Sequence, residues 1–438
     1  MAVLPWRIDL DHHQRVVTIG DVHGDMGTFI GTLARAGLVD VPKATMRAAL
    51  KCHLPAVTTN KDSTLSRWKR PLTPHQASSI TWSGGKAAVL FLGDVLDNRR
   101  GSHQDIMGVC ATAGTQTQIL ELLYELQSQA AAQQGRVVFI LGNHDVANAT
   151  PGPSTYCDNY APQYMIPSSR SRGEPATENA SEAGYYSTCT KGKSGFSDEH
   201  VRHIRWHMHR LHAVAVARVE TNSAGSFLVM HGGLTRESLH FFCAKGMVKK
   251  YRLVPEEKEH QRNLKRMNAL FFDALELRGA ARGWDRSLSR RRSRPRHNRS
   301  DAMGIVYGHA RLMPTMCRPD ATDPSCARAM KSLFGTSRVV KAHDTQTTHD
   351  RQPDAHCRNT YGLRSASGRG TDLAPFEDAD LCKIDVAASR CFSPEETLRT
   401  CTETSCAGTA RYAFMEVFVY NGLLQRRIHQ GVYEFKFD

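Results

Sequence analysis

Asp21 and His23 stand two residues apart in Gly20-Asp-Val-His-Gly24, directly after the apolar run Arg15-Val-Val-Thr-Ile19. Side chains at i and i+2 of an extended segment point to the same side, so this pair can hold one ion together. Three more apolar runs end in the same way. Ala87–Leu92 leads into Gly93-Asp94-Val-Leu-Asp97, Arg136–Leu141 into Gly142-Asn143-His144-Asp145, and Ser226–Met230 into His231-Gly-Gly-Leu234. Asp94 is placed to bridge, Asn143 offers a neutral oxygen and His231 an imidazole nitrogen. A set of mixed oxygen and nitrogen donors suits Mn, Fe or Zn, whereas Ca prefers oxygen cages and structural zinc prefers thiolates. Taken singly, a Gly-Asp at a strand exit is a turn and an Asn-His is a surface pair. Four such ends in order, each after an apolar strand, make a site.

The elements that must position these residues are legible from periodicity. The four runs are short, apolar and rich in β-branched or aromatic residues, as strands buried on both faces are. Each stops where glycine allows a sharp turn at the carboxyl end of a sheet. Between them, Met26–Gly37 carries Met26, Phe29, Ile30 and Leu33 on one helical stripe, and Thr117–Ala131 carries Ile119, Leu122, Leu123 and Leu126 on another. Strand and helix in alternation predict an α/β fold with parallel crossovers. Three stretches read as surface excursions on one core rather than as separate domains: the polar, basic 43–74, the Pro-, Ser-, Gly- and Tyr-rich 150–198, and the arginine-rich 278–300.

The ordered set GDVHGD, GDVLD, GNHD and HGG resembles the calcineurin-like metallophosphoesterases, and within them the phosphoprotein phosphatase group, whose pattern is GDxHG, GDxxDRG, GNHE, HGG and a late GH. It is most similar to the Shewanella-like protein phosphatase branch, through VTIGDVHGD, Trp82-Ser-Gly-Gly85 ahead of VLFLGDVLD, ILGNHDVAN, the late RVVKAHDTQ, and Lys383-Ile-Asp-Val-Ala-Ala-Ser389, which is similar to that branch's IDxGxS strand. The likeness spans roughly Val16 to Tyr420. It implies a β-sandwich flanked by helices, with a metal site at the carboxyl ends of the strands, in one metallophosphatase domain over 1–438.

Carried onto this chain, the resemblance implies two divalent metal ions, with Asp21, His23 and Asp94 at one and Asp94, Asn143, His231 and a late histidine at the other. Metal-activated hydroxide would attack phosphorus, His144 would protonate the leaving oxygen, and Asp97 would orient His144. The implied activity is hydrolysis of phosphomonoesters, above all of phosphorylated Ser, Thr or Tyr on proteins. Two histidines compete for the last ligand position. Ser337-Arg-Val-Val-Lys-Ala-His343 matches the final strand with Ala342 in place of glycine, while Gly304-Ile-Val-Tyr-Gly-His309 keeps a Gly-His but also fits an element that binds phosphate. His343 is taken as the ligand and His309 as a phosphate contact.

Two departures stand out. Asp145 replaces the Glu of GNHE and is expected behind the ligands. Asn98 stands where the pattern has its phosphate-clamping Arg, and arginine's planar fork is not copied by Asn or His. Arg99 and Arg100, one and two positions on, and Arg311, two past His309, are the candidates to replace it. Two other functions therefore compete with a protein phosphatase: a nucleotide or RNA-cap pyrophosphatase of the ApaH-like type, and a catalytically degenerate scaffold with a phosphatase fold.

Composition constrains the rest. The 438 residues carry a net charge of +14, and Arg278–Arg299 alone supplies nine arginines against one Asp. Such a run reads as a solvated loop that can contact polyanions; with Trp284 as its sole aromatic it lacks the stacking platform of sequence-reading RNA binders. No apolar run reaches the length of a membrane span. The start lacks a secretory signal pattern, so a cytoplasmic or nuclear location is expected, with the twelve dispersed cysteines mostly as free thiols.

Overall fold

The computed structural model describes residues 5–50, 72–96, 113–150, 152–153, 195–196, 198–234, 257–276, 324–343, 356–358, 374–376, 381–384 and 408–435. Its strands, in chain order, are β1 (Arg7–Asp9), β2 (Val16–Ile19), β3 (Val39–Asp40), β4 (Thr81–Trp82), β5 (Ala88–Phe91), β6 (Arg136–Phe139), β7 (Gly152–Pro153), β8 (Gly195–Phe196), β9 (Val216–Glu220), β10 (Ser226–Met230), β11 (Val339–Lys341), β12 (His356–Arg358), β13 (Ala374–Pro375), β14 (Leu381–Lys383), β15 (Gly408–Tyr420) and β16 (Leu423–Phe435). The helices are α1 (Leu10–His13), α2 (Met26–Arg35), α3 (Lys43–Leu50), α4 (Pro74–Ser78), α5 (Ala113–Ala132), α6 (Asn143–Asn148), α7 (Asp198–Arg210), α8 (Glu257–Glu276) and α9 (Pro324–Phe334).

Two six-stranded sheets carry the fold, in the orders β1-β9-β10-β11-β14-β12 and β13-β16-β15-β2-β5-β6. The motif strands pair in parallel, β2 with β5, β5 with β6, and β10 with β11. Around them the pairing turns antiparallel, at β15–β2, β15–β16 and β9–β10. The expected parallel crossovers thus hold for the strands that carry the site. The 13-residue strands of the β15–β16 hairpin close the second sheet, and no crossover joins them because the chain reverses at Asn421-Gly422, both at positive φ.

Alternation along each motif strand explains the layering. Val89, Phe91, Val137, Phe139, Leu228 and Met230 share one apolar cluster with Phe29 and Leu33 of α2, Leu123 of α5 and Phe271 of α8. Their neighbours Ala88, Leu90, Val138, Ile140, Phe227 and Val229 share another, to which both sheets contribute. A period of two sends alternate residues to opposite faces. One face of each sheet therefore meets the other sheet and the opposite face meets helices, which is the β-sandwich flanked by helices that the resemblance implies.

Both ends of the first presumed excursion pack on the body of the fold. In α3, Met46, Ala49 and Leu50 lie in the helix-covered cluster, and the Gln118 side chain both donates to Leu72 O (2.8 Å) and accepts from Leu72 N (3.3 Å). Polar composition between 43 and 74 masked the helical stripe at the start of that segment. The 150–198 segment begins and ends in a two-stranded ribbon, β7 with β8. Residues 278–300 lie outside those described. Cys382 is disulfide-bonded, so the expectation of mostly free thiols does not extend to it. No helix among the described residues is long and apolar enough to cross a membrane.

A buried amide ties α8 to the sheet that carries His231. Asn268 Oδ1 accepts from Ala215 N (2.8 Å) and Val216 N (3.2 Å), and Nδ2 donates to Val216 O (2.9 Å) and Leu264 O (3.1 Å). Replacing Asn268 with Leu would leave these backbone groups buried without partners, at roughly 1–3 kcal/mol for each one left unsatisfied. Urea unfolding of Asn268→Leu is expected to show a midpoint shift of that order at unchanged slope; an unshifted midpoint would mean that water replaces the amide.

Candidate metal centre

The turn after β5 is the centre of the site. Gly93 has φ +94°, a region that only glycine enters without strain, and a Cβ there would lie 2.2 Å from Gly142 N. A Cβ on Gly142 would lie 2.2 Å from Asp94 Oδ1. The first glycine serves the turn, as expected from the sequence. The second serves contact: it lets the turn after β6 press against the Asp94 carboxylate.

Asp94 itself sits at φ +50°, His23 at +44° and His343 at +64°. Such backbones cost non-glycine residues on the order of 1–3 kcal/mol each and persist where the surroundings over-determine them. Here the surroundings are hydrogen bonds between turns. His23 N donates to Asp94 O (2.8 Å) and Gly24 N to Val95 O (2.7 Å). The Asp145 carboxylate accepts from Asp94 N (2.8 Å), Val95 N (3.1 Å), Leu96 N (3.1 Å) and Gly142 N (2.9 Å). Asp145 thus clasps the whole Asp94 turn while standing in the first turn of α6. The sequence placed it behind the ligands; that it grips four backbone amides required the turns to be brought together. Asp25 went unassigned, although its signal was present. Its carboxylate accepts from Gly27 N (3.0 Å) and Thr28 N (3.2 Å) as the N-cap of α2, directly after His23.

The side chains singled out from the sequence converge. Donor atoms of His23, Asp94 and His144 lie within 4.8 Å of one another, and so do those of Asp94, His231 and His343. Asp94 is common to both groups. Asp21 lies between them, with Oδ2 3.7 Å from His23 Nε2 and Oδ1 3.6 Å from His231 Nδ1. Asn143 Oδ1 is 2.9 Å from His231 Nε2. All seven residues are at most 5% exposed. The structure therefore puts His343 in the cluster; Asp97, Arg99, Arg100 and His309 lie outside the described residues.

Carbonyls of the Asp94 turn aim two of the imidazoles. His231 Nδ1 is 2.6 Å from Leu92 O and His23 Nδ1 is 3.3 Å from Leu96 O. A carbonyl only accepts, so each Nδ1 carries a proton and each Nε2 is the atom turned toward Asp94, at 3.4 and 3.8 Å from Oδ2, where it can ligate an ion once it gives up any proton of its own. His144 N donates to Asp94 Oδ1 (2.9 Å), and its Nε2 is 3.8 Å from Asp94 Oδ2.

Electrostatics shows that the cluster calls for positive charge. Burial works against a charged His231, yet Asp94 and Asp21 push it up to about 9. Burial likewise raises the Asp94 carboxyl, yet His231, His144 and His23 together hold it well below the usual carboxylate range. Two buried carboxylates are thus balanced by a proton on an imidazole. A divalent cation answers the same demand, and the carboxylate, imidazole and amide donors fit Mn, Fe or Zn.

The Asp145 clasp generates a measurable consequence. Asp145→Asn replaces one acceptor oxygen with an N–H₂ group facing backbone N–H groups, and should weaken Mn²⁺ binding by about 10- to 100-fold, the range seen when a group supporting a ligand is lost. Equilibrium dialysis checks this, with circular dichroism to confirm folding. Asp145→Glu, which keeps the acceptor, should retain more affinity; equal affinity in wild type and Asp145→Asn would reduce the clasp to a bystander.

No curated protein matches the chain. Its structure is similar to that of a cold-active protein-tyrosine phosphatase of a psychrophile, Shewanella sp., at 13% identity and a TM-score of 0.42, covering 97% of this chain and 82% of that one. It is also similar to a protein serine/threonine phosphatase from Saccharomyces cerevisiae, at 11% identity and a TM-score of 0.37, covering 99% and 84%. Residues 14–310, which hold every turn described above except that of His343, match the model of the calcineurin-like phosphoesterases. The chain belongs to the calcineurin-like phosphoesterase family.

Proposed function

We propose that this chain hydrolyses phosphomonoesters, with phosphorylated protein side chains as its substrates, as in the phosphoprotein phosphatase group it resembles. The observation that carries the reading is the Asp94 carboxylate shared by two histidine-containing groups. Asp21, His23 and Asp94 would hold one divalent ion, and Asp94, Asn143, His231 and His343 the other. Such ions, when bound, supply Lewis-acid charge to phosphoryl oxygens and make water acidic enough to attack near neutral pH.

The chain's own residues do the remaining work. Asp94, fixed by its own turn, keeps the two groups in register. His231 and His23, their Nδ1 protons held on backbone carbonyls, keep a single tautomer. His144 stands beside the cluster with its backbone N–H on Asp94 Oδ1, and protonates the leaving oxygen from its ring. Asp97, three residues past Asp94, is proposed to orient that ring, and Arg99, Arg100 and His309 to supply the phosphate contact that Asn98 lacks.

Hydrolysis of p-nitrophenyl phosphate with added Mn²⁺ tests the reaction. Asp94→Asn should abolish it, and His144→Asn should lower kcat by about 10² to 10⁴ at similar KM, the range for loss of a general acid. Wild-type protein that binds two ions per chain and turns over no phosphate ester would instead identify a scaffold. Phosphopeptides, diadenosine tetraphosphate and capped RNA then separate the substrate classes, and turnover of the latter two alone would replace the protein phosphatase reading with a pyrophosphatase.

A further inference from the structure

Helix α7 carries a second cluster of metal-ligating side chains away from Asp94. His203 and His207 are spaced i and i+4, the spacing that puts two side chains on one helical face. Their Nε2 atoms are 3.2 Å apart, with the rings at 90°. Two imidazoles on a tetrahedral ion at about 2.0–2.1 Å have nitrogens roughly 3.3 Å apart, so the backbone already holds the pair at ligating separation. We propose that His203 and His207 form a second transition-metal site on α7, which takes one late first-row divalent ion such as Zn²⁺, Ni²⁺ or Cu²⁺ and completes its coordination with water.

The surroundings favour an ion over a pair of charged rings. His207 is buried, and its Nδ1 has no hydrogen-bond partner. Burial first, then His203 and Arg210, bring its pKa down to about 3, so it is a neutral ligand at physiological pH. Without an ion, one Nε2–H donates to the other Nε2. On binding, that ring's proton moves from Nε2 to Nδ1, and both lone pairs face the ion with no net release of protons. Arg210 is the nearby cation, and its guanidinium is spread over Tyr124 (3.4 Å) and Trp206 (4.9 Å). Imidazole suits Cu, Ni and Zn, whereas Mg and Ca, which prefer oxygen, have no carboxylate in this pair. The helix is fastened as well, since Arg205 Nε donates to Ala149 O (2.8 Å), the residue that caps the end of α6.

Trp206 supplies the readout. It is 51% exposed, with ring centroids 4.8 Å from His207 and 6.3 Å from His203, close enough for bound Cu²⁺ to quench its fluorescence. Cu²⁺ is titrated into full-length protein held in excess Mn²⁺, added to load the centre proposed at Asp94. The expected result is saturable quenching at one equivalent, lost in His203→Gln and kept in His209→Gln, an exposed histidine on the same helix. Trp206→Phe should remove the quenching while equilibrium dialysis still counts the ion. His203 is only half-buried, so His203→Gln should fold, as circular dichroism will report. Quenching of equal midpoint and amplitude in His203→Gln, or none that saturates in wild type, would overturn the site and leave the pair a hydrogen bond.

Discussion

The carboxylate of Asp145, gripping the amides of Asp94, Val95, Leu96 and Gly142, is the interaction on which the centre depends. Asp94 must point one carboxylate at two clusters of histidines, and to do so its backbone takes a left-handed conformation that only a scaffold of fixed amides can hold. Burial and then the neighbouring Asp94 push the Asp145 carboxyl up to about 7, while the amides of Gly142 and Leu96 work to hold it down. Because Asp145 stands at the start of α6, the same clasp also sets Asn143 and His144 against Asp94. One short acidic side chain therefore positions three of the residues that meet there.

The centre as a whole spans a seam. The turns carrying Asp21, His23, Asp94 and Asn143 leave one sheet, and those carrying His231 and His343 leave the other. A backbone bond joins the sheets at this edge, Leu141 N to Val214 O (2.9 Å), and Ala342 N to His231 O (3.0 Å) ties together the two turns of the sheet that carries His231. His231 completes the join by donating from Nδ1 to Leu92 O. An apolar core filled from both sheets keeps the edge rigid, since close-packed interiors leave little room for the turns to drift.

Charge follows from the same arrangement. Asp21 and Asp94 are buried near one another, which is unfavourable unless cations share the space. The imidazoles answer in part, with the proton on His231 as the clearest sign. A family whose chemistry runs through divalent ions is consistent with a cluster that draws positive charge before any ion is considered.

The strand ends, the helical stripes of α2 and α5, and the ligand types at Asp21, His23, Asp94, Asn143 and His231 were legible in the sequence, because burial imposes periods of two and 3.6 and because turns at a sheet edge need glycine. The β15–β16 hairpin carries a local signal in Asn421-Gly422 that the motif pattern does not draw on, whereas the burial of the helix at 43–50 depends on partners elsewhere in the chain. The same limit applies to His343, which reaches His231 only because β11 pairs beside β10. The sequence by itself determined which chemistry the strand ends could carry, because residue type and spacing set donor chemistry locally. Only the tertiary structure decided that Asp94 stands between two groups and that Asp145 holds it there, because those contacts join turns that are separate in sequence: the turns after β5 and β6 meet when their sheet forms, and those of His231 and His343 reach them only when the two sheets close.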